Sequence, residues 1–277
     1  MDSQAHRPTW LIGCLLTVTV LAFGSACSPP VEAPTQFDEL CSFIYKHADD
    51  EDPQALADGV VNLQNWLKSR RDEVREGYMV DNLDPEVVKM LDGQDHDLTD
   101  LLGVAFATQF TSTLDQSMEV SLTDDPAVQA PDLWKTYDRT NDEGVACFLD
   151  KTCDVLEYDV TAEQLYPLGL ESTVRYQARI RRVMTDAGEA VIWRTWLNGP
   201  NEFSWDWIKV KLNFYLGISV QTADGTMERT EASWVLANMG DSPVPPDVAM
   251  SLALDTVKDN AVKHQERMIE KYGAATP

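Results

Sequence analysis

Positive charge is scarce in this sequence. Its 277 residues hold 22 lysines and arginines against 46 aspartates and glutamates, for a net charge of -24. A field of that sign repels nucleic acid and anionic lipid headgroups, so DNA or RNA is not an expected partner. Histidine is scarcer still: His6, His47, His96 and His264 are the four, and they are scattered. There is no G-x-S-x-G elbow, and neither His47 with Asp49 and Asp50 nor Asp92 with Asp95, His96 and Asp97 has a recognised ligand spacing. A calcium loop read from Asp95 would put Asp100 where a sharp-turn glycine belongs and Phe106 where a bidentate glutamate belongs. The chain is therefore expected to be non-enzymatic, with no catalytic residue, metal or cofactor.

Long apolar runs are missing too. The N-terminal run from Trp10 to Phe23 has 14 residues, short of the roughly 20 that cross a bilayer. It follows Arg7 and leads into small residues, the layout of a secretion signal. Gly24-Ser25-Ala26-Cys27 resembles the lipobox of bacterial lipoproteins, where the signal is cut before a cysteine that is then diacylated. Gly24 stands where lipoboxes usually carry leucine, so ordinary cleavage after Ala26 is the alternative outcome. The resemblance implies a signal peptide over 1–26 and a lipid on Cys27. With Ser28 rather than aspartate next, it also implies anchoring in the outer membrane of the cell envelope, facing the periplasm. Residues 27–36 then read as the lipidated cysteine and a proline-rich tether, extended at roughly 3 Å per residue.

Of the five cysteines, Cys147 and Cys153 lie in the segment CFLDKTC. In an oxidising compartment they are expected to form a local disulfide, with a loop so short that it contributes only about 2 kcal/mol. Cys41 is left over as a buried thiol on the first helix, and its pairing with one of the other two stays open.

What is present is a change of hydrophobic period. Phe37, Leu40, Cys41, Ile44 and Tyr45, then Leu56, Val60, Leu63 and Leu67, follow helical spacing. Further helices are predicted at Asp84 to Leu91 and at Leu98 to Leu114, the latter capped by Asp97 or Thr99, so that residues 37–115 form a helical region. From Ser172 the period becomes two, and four strands follow as an antiparallel meander, the later ones at Glu189 to Leu197, Ser204 to Val220 and Thr226 to Ala237. After the prolines at 243, 245 and 246, Met250, Leu254, Val257, Ala261, His264 and Met268 mark one stripe of a long closing helix. The fold class is α+β. A meander followed by a long C-terminal helix is similar to the START-like helix-grip fold over residues 116–277, which implies a sheet wrapped round that helix and an apolar cavity between them.

Inward faces follow from the two periods. Tyr176, Ile180, Trp193, Leu212, Phe214, Leu254 and Val257 are expected to line that cavity, with His264 as a core histidine. Alternation also puts Trp205 and Trp207 beside Lys209 and Lys211, either under the helical layer or exposed to grip an anionic amphiphile or a partner protein. Residues 37–171 hold 31 acidic and 9 basic residues, whereas 172–236 hold 7 and 8. Two functions are compatible with these features. One is a lipoprotein binding a lipid-like or other apolar small molecule; the other is an interaction lipoprotein docking on another envelope protein through its acidic helical layer.

Overall fold

The computed structural model describes residues 31–123, 125–166, 169–205, 208–222, 225–238 and 246–273. The leader and Cys27 lie outside the described residues. In chain order the elements are α1 (Phe37–His47), α2 (Gln54–Val74), β1 (Tyr78–Met79), α3 (Pro85–Asp92), β2 (Leu102–Phe110), α4 (Leu114–Thr123), α5 (Pro126–Gln129), β3 (Trp134–Arg139), α6 (Asp142–Leu149), β4 (Val155–Tyr166), β5 (Leu170–Thr185), β6 (Gly188–Leu197), β7 (Glu202–Phe203), β8 (Lys209–Gln221), β9 (Met227–Asn238) and α7 (Pro246–Tyr272). The α+β class is as expected. The strands form one antiparallel sheet in the order β1-β2-β9-β8-β6-β5-β4-β3, with β7 pairing β5 off that path.

Helices cover both faces of the sheet. On one face the stripes of α1 and α2 are buried as their spacing predicts, Leu40, Ile44, Leu56 and Val60 being wholly inaccessible. Helix α3 starts where the Asp84 carboxylate accepts from the Glu86 amide and stops at Gly93, whose φ of 77° suits a residue without Cβ. These helices pack on Leu212, Phe214, Leu216, Ile218 and Trp234 of β8 and β9. On the opposite face, Leu156, Tyr158, Ile180 and Val191 pack with Met118 of α4, Phe148 of α6 and Ala261 of α7.

The acidic turn between α1 and α2 is bound to the sheet by arginines. Arg194, 1 % exposed, donates to the Tyr45 carbonyl at 2.9 Å, pairs with Asp49 and lies over the Tyr45 ring. Arg179 reaches Asp49 at 3.1 Å, and Arg181 donates to the Ala48 and Asp50 carbonyls. Carboxylates and carbonyls that meet most of its donors offset the cost of burying the Arg194 guanidinium. The near-neutral half of the chain thus holds the acidic half.

Three expectations need correction. Residues 102–110 form strand β2, not part of a helix from Leu98 to Leu114, so residues 37–115 are not helical throughout. Asp97 does accept from Thr99, but in a turn leading into the strand. Burial of Ala105, Phe106 and Ala107 in succession, by cover on both faces, hides the period-two signal. The meander also begins two strands early, with β3 and β4. Thirdly, β8 starts at Lys209 and not at Ser204; Trp205 precedes the strand, 36 % exposed, and Trp207 lies outside the described residues. The end of the tether is not free either, since Asn62 donates to the carbonyls of Ala33 and Pro34.

Candidate functional site: a cavity between the sheet and the last helix

Between the sheet and α7 lies a cavity of about 380 Å³. Its apolar and aromatic wall comes from Trp134 and Tyr137 of β3, Tyr176 of β5, Trp193 and Leu197 of β6, and Val257 of α7. Strand alternation brings polar side chains to the same surface: Thr195, Asn213, Tyr215, Arg229, Glu231 and Ser233. Helix α7 adds Asn260, Lys263, His264 and Arg267, and Gln129 of α5 closes the wall opposite.

Charge inside this space is paired. Arg229 Nε lies 2.6 Å from Glu231 Oε1, and another of its nitrogens donates to the Tyr215 hydroxyl at 3.0 Å. Burial pushes the Glu231 carboxyl upward and Arg229 pulls it back. Burial works against the Arg229 charge, yet Glu231 and Tyr215 more than offset it. The Tyr137 and Tyr176 hydroxyls share a hydrogen bond of 2.9 Å, and burial raises both phenols above the usual tyrosine range. His264 hydrogen-bonds Ser117 Oγ through Nε2 at 3.0 Å and meets the Phe110 ring edge-on. Burial, then the charges of Arg229 and Arg267, lower its pKa to about 3. The wall sets largely paired polar groups among aromatic rings and leaves the buried Gln129 Nε2 without a hydrogen-bond partner, an arrangement suited to holding a small molecule by shape and a few oriented contacts.

The residues expected to line the site divide. Tyr176, Trp193 and Val257 do line the cavity. Ile180 is fully buried in the packing on the same face, and Leu254 lies against Gly77, where an added Cβ would fall 2.3 Å from its Cδ2. Leu212 and Phe214 face the other way, into α1–α3. A register shift between Val210 and Leu212 turns the strand over, and the helical layer takes its more apolar face. The missed lining is therefore the alternate set on β8 and β9, whose sequence signal was polar residues recurring every second position inside long strands. Arg229 pairs with a local acid, Glu231, two residues along the same strand. Cys147 and Cys153 are joined, their Cα atoms 5.5 Å apart, and Cys41 is a buried thiol. The histidine-acid pairs resolve into two-membered contacts, His47 with Asp50 and His96 with Asp92.

No protein-family profile matches the chain, and no curated protein matches it in sequence. Among solved structures it is similar to a STAR-related lipid transfer protein from Xanthomonas axonopodis, at 14% identity and a TM-score of 0.42, covering 63% of this chain and 90% of that fragment. A START superfamily protein from Mycobacterium smegmatis is similar at 12% identity and a TM-score of 0.38, covering 61% and 97%. Norcoclaurine synthase from Thalictrum flavum is similar at 8% and 0.38, covering 61% and 87%. Likenesses at this level assign neither family nor activity, and the functional reading rests on the cavity.

Proposed function

We propose that this is an exported cell-envelope protein, anchored by a lipid on Cys27 in the outer membrane and facing the periplasm, which binds one small apolar or amphiphilic molecule and is not an enzyme. The observation that carries the binding reading is the cavity of about 380 Å³ walled by Trp134, Tyr176, Trp193 and α7. That volume lies at the lower end of the roughly 300–1,000 Å³ typical of small-molecule sites, so it suits one compact ligand. Docking through the acidic helical layer is the weaker alternative, because the acidic turn's Asp49 and the Asp50 carbonyl are already held by Arg179, Arg181 and Arg194.

Two measurements test the reading. Mass spectrometry of molecules co-purifying with the native protein, with titration of a fluorescent fatty acid, should give saturable binding at one site per chain. Val257→Trp should abolish it while costing about 1–3 kcal/mol by overpacking. Absence of saturation with every lipid class tried, or unaltered binding by a folded Val257→Trp protein, rules out the cavity as the site. For the anchor, metabolic palmitate labelling should be lost in Cys27→Ala; equal labelling of both chains rejects it.

A further inference from the structure

The scarcity of positive charge does not extend to the cavity. Among the described residues that line it, three are basic, Arg229, Lys263 and Arg267, and one is acidic, Glu231. The whole chain has the opposite balance, 22 basic to 46 acidic. Arg229 is committed to Glu231 and Tyr215 on the sheet. Lys263 and Arg267 stand one turn apart on α7 and so project side by side. The wall opens to solvent there: Lys263 is 35 % exposed, and the Asp132 carboxylate it meets at 2.6 Å is 69 % exposed. An ion pair that open to solvent is weak, so the ammonium can exchange Asp132 for another anion at little cost. The positive field also reaches inward, since Arg229 and Arg267 both help to keep His264 uncharged.

We infer that the ligand is an anionic amphiphile, its apolar body against Trp134, Tyr176 and Trp193 and its acidic head at Lys263 and Arg267 on the rim. This rests on the cavity being a ligand site. The distant acids do not oppose it once the ligand is seated, because at physiological ionic strength their field fades within about 8 Å, whereas the head is in contact with the rim cations. A carboxylate, sulfonate or phosphate head satisfies the same contacts.

Two probes with the same rings separate the inference from the reading beneath it. 8-Anilinonaphthalene-1-sulfonate carries an anionic head; N-phenyl-1-naphthylamine lacks it. With the purified full chain, the sulfonate should saturate at one per chain with a Kd at least about tenfold lower than that of the neutral probe. The Lys263→Gln, Arg267→Gln double variant should erase the gap by raising the sulfonate's Kd toward that of the neutral probe. If that variant does not fold, the wild-type gap must still close in about 1 M salt, where screening acts within roughly 3 Å. Equal Kd values for the two probes, a gap that survives the folded variant, or, where the variant does not fold, a gap that survives salt overturns the anionic head while the cavity reading stands. Failure of both probes to saturate overturns both.

Discussion

His264 must stay neutral to occupy its place. Its ring lies between Phe110, Ser117 and the cavity, with Arg229 and Arg267 near enough to oppose a proton. The folded-state pKa of about 3 lies below the 6.5 of an unperturbed histidine. The unfolded chain therefore takes up a proton as pH falls below about 6.5 while the folded chain does not. The stability linked to this residue is complete above that pH and is lost on descent toward 3, at about 1.4 kcal/mol per pH unit. His264→Gln removes the titration, so the stability advantage of the wild type over the variant should shrink by about 2 kcal/mol between pH 6 and 4, measured by urea unfolding. A constant difference would show that His264 is not held neutral. The sequence marked this histidine as a core residue on the helix stripe, but its partner on α4 is distant in sequence and no local pattern announces it.

At the scale of elements, the disulfide and the strands behave differently. Cys147 lies on α6 and Cys153 just before β4, so their bond pins the turn joining helix to strand. Peptide mapping without reductant should recover the two cysteines linked and Cys41 free. Replacing both by serine should lower stability by about 2 kcal/mol, the loop being short. Recovery of Cys41 in the bond would contradict the pairing. Helices α1, α2 and α3 could be read from spacing and caps because those signals are local. Strand β4 also had a legible signal, with Leu156, Tyr158, Val160 and Ala162 buried in alternation. Strand β2 did not, because cover on both faces makes it a continuous apolar run. The cavity was harder still: which face of β8 meets α7 depends on a register shift at Val210 and Leu212 and on the competing claim of α1–α3, neither of which can be read from one strand's alternation.

Over the whole molecule, a net charge of -24 makes self-repulsion a standing cost. Raising ionic strength from about 0.01 M to 0.15 M shortens the screening length from about 30 Å to 8 Å, so the thermal midpoint should rise over that range. A fall would mean that contacts such as those of Arg179 and Arg194 with Asp49 outweigh the repulsion. The two-sided sheet has a different kind of consequence. Because β8 and β9 give their more apolar face to α1–α3, much of what keeps the chain folded sits behind the sheet, away from Thr195, Asn213 and Ser233 on the cavity side. Side chains there can be exchanged over generations without loosening the frame that carries them, so a lineage built on this chain can retune what it recognises while keeping the same architecture.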